Sequence, residues 1–179
     1  MKQIKNPYNS LRQKLTDPTQ KQLDMLNKWV SSAHDAGVVT GHTLQSYFES
    51  LMVTSDHFVY RGIAIPQTMN LYIGAILKNH ISFSKKIDCA DYFAELNYDM
   101  RRTGLFDEPY RKYIVVIPRN ALLVPVYPYL LESSLHLFTS YAEEEEYINT
   151  FDLKITHILD FKEISYIFTT QLCDQKKTL

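Results

Sequence analysis

The apolar positions of this chain change their period once. Up to residue 56 they recur at helical spacing, and from residue 57 they gather into short β-branched and aromatic runs. In "TDPTQKQLDMLNKWVSSAHDAG" the residues Leu23, Leu26, Trp29, Val30 and Ala33 make one helical stripe. Thr16 or Asp17 stands where an N-cap is expected, Pro18 at the first helical position, and Gly37 where a C-cap belongs. "TGHTLQSYFESLMVTS" predicts a second, shorter helix with Leu44, Tyr47, Phe48 and Leu51 on one face. Strands are predicted over 58–61, 113–117, 121–127, 146–148, 151–158 and 164–172. A helix interrupts them at 88–97, in "DCADYFAEL", with Asp88 as its cap. No internal repeat, low-complexity tract or Pro/Gly linker divides the chain. The pattern therefore predicts one α+β domain over 1–179, with 1–56 a helical N-terminal part and 57–179 mainly β.

Composition narrows the partners. At 179 residues the chain can bury a proper core. Lys+Arg 19 against Asp+Glu 20 leaves a net charge of -1, which argues against nonspecific nucleic-acid binding. Cys89 and Cys173 match no zinc or redox spacing and are expected to be free thiols in a reducing compartment. The start, "MKQIKNPYNSLRQKL", has no apolar signal region, and no run of about 18 apolar residues occurs. The expected setting is a cytoplasm, with no membrane partner and no bound metal.

Three polar intrusions into the β body carry the candidate chemistry. "HFVYRGIAIP" places the permanent cation Arg61 inside the most strand-like apolar run, followed by Gly62. "HISFSKK" follows about twenty positions on, and its Ser82 and Ser84 flank Phe83 and share a face in an extended chain. "YAEEEEYINTF" runs Glu143 to Glu146 directly into the apolar Tyr147 and Ile148. At least one of these carboxylates is thus drawn to a partly buried position, where its pKa would rise. His80 is expected to be a hydrogen-bonded structural residue. "MRRTGLFDEPYRKY", with three arginines and two acids, is either a solvated loop or a mobile segment near a ligand.

Taken in order, "VYRGI", "ISFS" and "EEEYI" resemble the motifs of the mono-ADP-ribosyltransferases of the arginine-serine-glutamate class. That class includes bacterial toxins, vertebrate ecto-enzymes and the host-modifying enzymes of T-even-type phages, which are about this size and which the chain resembles most in character. Two helices before the arginine strand and one after the serine motif also agree with the family. The resemblance implies two packed β-sheets around an NAD cleft, with N-terminal helices.

It also implies a division of roles. Arg61 would hold the NAD pyrophosphate with its rigid fork of donors. Gly62 would let the cofactor approach the backbone, which would bind the nicotinamide amide. Ser82 and Ser84 would line the site, with Ser82 holding the catalytic carboxylate of Glu146. Glu144 would handle the acceptor, since the arginine-modifying members carry glutamate there. Phe83 stands where the family has threonine, and the turn "NTFDLKI" lacks the usual Pro and Gly. A one-residue shift would instead make Glu143 and Glu145 the pair. The aromatic that packs on nicotinamide could be Tyr92, Tyr98 or Phe106. The implied activity is transfer of ADP-ribose from NAD to an arginine of a target protein. NAD hydrolysis, transfer to another acceptor including RNA, and a non-catalytic interaction module remain as alternatives.

Overall fold

A threonine and a glutamine three residues apart open the first helix. In the computed structural model, which describes residues 15–31, 41–78, 82–102, 109–130 and 145–173, helix α1 spans Gln20–Ser31. The Thr19 hydroxyl accepts from the Gln22 backbone N–H at 3.3 Å, and Gln22 Oε1 accepts from the Thr19 N–H at 2.8 Å. This reciprocal capping box places the N-cap at Thr19, later than the expected Thr16 or Asp17, and leaves Pro18 ahead of the helix. Gln22 Nε2 also donates to the Tyr47 carbonyl at 2.7 Å and ties α1 to helix α2, Gly41–Phe48. The helical stripe is buried as expected: Leu26, Trp29, Leu44, Phe48 and Leu51 share a core cluster with Val124, Tyr129 and Ile148. The expected C-cap Gly37 lies outside the described residues.

Among the described residues nine strands follow: β1 Val53–Thr54, β2 Val59–Pro66, β3 Ile76–Leu77, β4 Ser82–Ser84, β5 Tyr110–Ile117, β6 Leu122–Pro125, β7 Glu146–Ile148, β8 Leu153–Phe161 and β9 Ile164–Gln171. Helix α3, Ile87–Arg102, separates β4 from β5, and a single helical turn, α4, covers Tyr127–Leu130. The described strands form one sheet in the order β1-β6-β7-β4-β2-β5-β9-β8-β3. Its pairings are antiparallel except for β5 with β9.

Two separate sheets were expected, and one hydrogen-bonded sheet stands in their place. The join is β4, which pairs with β2 at Tyr60↔Ser84 and with β7 over Ser82↔Ile148, Phe83↔Tyr147 and Ser84↔Glu146. Leu123 and Tyr147, from one wing of the order, share a core cluster with Leu153, Ile155 and Ile167 from the other. The mixed sheet therefore curls into a half-barrel around that core. Alternation in the sequence marks which residues point inward, but not which strand lies beside which.

Helix α3 crosses β2 and β5 on another face, and Gly62 is where it comes closest. A Cβ at Gly62 would stand 1.7 Å from the Ala90 carbonyl oxygen and 2.4 Å from the Ala94 nitrogen, both in the α3 backbone. Strand and helix backbones thus meet here, and Ala90 and Ala94 are themselves buried. The glycine in "VYRGI" has a packing reason that the sequence did not disclose. Gly62→Ala should displace α3 and cost about 3 kcal/mol, lowering Tm by roughly 6–12 °C in the absence of NAD. Thermal unfolding checks it; a melt like that of the wild type would sink the packing argument.

Candidate active site

The three polar intrusions meet where β2, β4 and β7 lie side by side. Arg61 sits one residue past the Tyr60↔Ser84 pair, and its Nη1 donates to the Ser82 carbonyl at 2.8 Å. The β2–β4 ladder is short at this point, and the guanidinium spans it. Burial lowers the Arg61 pKa from its ordinary value, and the nearby Glu146 carboxylate acts in the opposite direction. An arginine stays charged through any such shift. Its Nε–H is buried with no hydrogen-bond partner among the described residues. Buried donors are nearly always paired, so this one suits a ligand acceptor such as a phosphate oxygen.

Glu146 opens β7 and is aimed at the same place. The Ser82 hydroxyl donates to Glu146 Oε1 at 2.6 Å, and the Trp29 indole Nε1–H donates to that same oxygen at 2.9 Å. Burial pushes the Glu146 carboxyl above its usual range, while the Ser82 bond, the Trp29 bond and the Arg61 charge pull it back. A carboxylate held among neutral donors and one cation can keep its charge without being neutralised by a contact ion pair.

Glu145 points elsewhere. It adopts a φ of 48°, and its carboxylate pairs with Lys85 Nζ at 3.2 Å. In this register Glu146, and not Glu145, faces Ser82 and Arg61. The residues Glu143 and Glu144 lie outside the described residues, as do His80 and Phe106.

The remaining expected site residues divide between scaffold and surface. Ser84 is buried, and its Oγ accepts from the Lys86 backbone N–H at 2.9 Å, shaping the turn from β4 into α3. Gly62 lies against α3 as described. Tyr92 is exposed and packs edge-on against Phe93, and Tyr98 lies under the Lys112 ammonium. Neither of these ring contacts involves Glu146. Trp29 is the site residue that sequence reasoning missed. It was assigned to the core stripe, which is correct for its ring. The one available signal was that a buried indole N–H needs an acceptor.

A curled mixed sheet, an arginine on its central strand and a glutamate held by a serine of the neighbouring strand define an ADP-ribosyltransferase-like fold. Solved structures agree on that fold at low sequence identity. The ADP-ribosyltransferase Vis in complex with the M6 inhibitor superposes with a TM-score of 0.61 at 15% identity, over 88% of this chain and 75% of that one. The Vis toxin from Vibrio splendidus gives 0.61 at 14%, over 88% and 76%. Vis in complex with agmatine gives 0.61 at 14%, over 93% and 85%. No protein-family model matches the chain, and no curated protein matches it significantly.

Proposed function

We propose that the protein transfers ADP-ribose from NAD to an arginine of a target protein and releases nicotinamide. The observation that carries this reading is the Glu146 carboxylate, fixed by Ser82 and Trp29 beside the buried Arg61 guanidinium. In the reaction the bond between nicotinamide and ribose C1′ breaks, nicotinamide keeps the electron pair, and C1′ bonds to a guanidinium nitrogen, whose proton leaves to an adjacent carboxylate or to solvent. Positive charge develops on the ribose as that bond lengthens. A carboxylate held in a partly desolvated cleft stabilises such charge without having to reorganise. Arg61, with a charged fork and an unused buried N–H, would take the pyrophosphate. The Gly62 main chain would take the nicotinamide amide, and Ser84 would hold the turn behind the cleft.

The arginine acceptor and the role of Glu144 rest on the "EEEYI" motif. One neighbouring structure holds agmatine, whose guanidinium is that of an arginine side chain. A guanidinium is protonated at any usable pH, so it needs an adjacent anion to become nucleophilic. A host-modifying role of phage type belongs to the same proposal and rests on the resemblance of "VYRGI", "ISFS" and "EEEYI" to the motifs of that class.

NAD labelled in its adenylate part, incubated with the protein and a cell lysate, tests the reading. Labelled protein bands that arginine-directed chemistry releases are expected. Free ADP-ribose alone would mean hydrolysis, labelled RNA another acceptor, and unchanged NAD an interaction module. Glu144→Gln should abolish labelling of protein yet leave slow NAD hydrolysis, because water needs less activation than a protonated guanidinium. Equal loss of both activities would end that division of labour.

A further inference from the structure

We infer that Trp29 is a positioning residue that fixes the Glu146 carboxylate from the N-terminal helix, so that Oε1 is fully occupied and Oε2 alone is presented to a ligand. The inference deepens the transferase reading but stands on contacts of its own. Helix α1 carries Trp29 against β7 from 117 residues away in sequence, and its ring packs in the cluster that includes Ile148, two residues beyond Glu146. Trp29 is 9% exposed, so packing as well as the hydrogen bond holds its ring in place.

Two donors, Ser82 Oγ and Trp29 Nε1, converge on Oε1 at 2.6 and 2.9 Å. Among the described residues no hydrogen bond reaches Oε2. The side chain is thus held at one oxygen from both sides, from β4 and from α1. The two anchors are not equivalent. A serine hydroxyl can rotate and turn acceptor, whereas an indole N–H is a donor only. Trp29 therefore favours the ionised carboxylate, the stronger acceptor, over the protonated form, and it makes the orientation of Glu146 depend on the docking of α1.

Among the described residues the groups facing Glu146 are few: Arg61 from β2 supplies the cation, Ser82 from β4 and Trp29 from α1 are neutral, and Glu145 on the same segment is engaged by Lys85. Losing the Trp29 donor should raise the Glu146 pKa further, because a bond to the charged form is removed.

Trp29 is the only tryptophan of the chain, which supplies a direct test without turnover. Emission of the NAD-free wild type should titrate in one step above the ordinary carboxylate range, and that step should be absent from Glu146→Gln. A flat wild type, or the same step in Glu146→Gln, overturns the inference. In the second arm Trp29→Phe keeps the ring and removes the donor. Its kcat should fall about tenfold, the size expected for a lost hydrogen bond to a charged group, with KM for NAD nearly unchanged. The acidic limb of its pH–rate profile should move upward. A lower Tm with an unshifted profile would make Trp29 a core residue only and overturn the proposal. If Trp29→Phe fails to fold, the fluorescence arm decides by itself. A wild type whose emission titrates but which leaves NAD intact would remove the transferase reading and support the contact.

Discussion

Glu146→Gln should abolish transfer and NAD hydrolysis together while NAD binding survives within a few-fold. Glutamine can still accept at Oε1 from Ser82 and Trp29, so the side chain keeps its place in the structure. What it loses is the charge that meets the developing ribosyl cation, worth roughly 3–4 kcal/mol by analogy with other lost electrostatic groups, or about 10²–10³-fold in rate. Single-turnover kinetics with labelled NAD check this. If the variant turns over normally and Glu145→Gln does not, the assignment moves to the neighbouring register.

The same variant carries a signature in stability. Burial raises the Glu146 pKa in the folded protein above its unfolded value. Its unfavourable contribution is therefore absent below the unfolded pKa and grows as pH rises toward the folded one. Across that window the wild type should lose stability relative to Glu146→Gln as pH rises. A parallel pair of curves of Tm against pH would contradict the burial of this carboxylate.

Arg61→Lys should weaken NAD binding by roughly ten- to a hundredfold, because the charge survives and the fork does not. A bidentate contact with a pyrophosphate in a partly desolvated cleft is worth on the order of 1.5–3 kcal/mol. The fold should persist with a modest loss, since Nη1 also bridges β2 to the Ser82 carbonyl. Calorimetric NAD binding and ligand-free unfolding on the same preparation separate the two contributions. Normal NAD affinity with a much earlier melt would make Arg61 a structural strap between β2 and β4.

Much of this molecule is legible in its sequence. The expected strand 146–148 coincides with β7, 164–172 with β9 to within a residue, and the helix at 88–97 lies inside α3, which starts one residue earlier and runs on to Arg102. These segments have strong local signals: alternation, β-branched residues, and a helical stripe, although Asp88, expected as the cap, lies in the first turn of α3 and not ahead of it. Boundaries slipped where local chemistry offered equivalent choices, as with Thr16, Asp17 and Thr19 ahead of α1. The two-residue strands β1 and β3 were missed because two residues cannot display a period.

The sequence by itself determined the residue types and their order: an arginine in a strand, serines in an extended segment, and a glutamate entering another strand. Those follow from local propensity and polarity, whereas NAD chemistry entered only through the resemblance of the three motifs, in order, to those of ADP-ribosyltransferases. Only the tertiary structure decided which groups meet. It joined the expected two sheets into one through β4, turned Glu145 toward Lys85 and Glu146 toward Ser82, and spent Gly62 on the α3 backbone. It also brought an indole N–H across 117 residues to a carboxylate oxygen. Pairings of that kind depend on strand neighbours and helix docking, which long-range burial sets and no local window of sequence records.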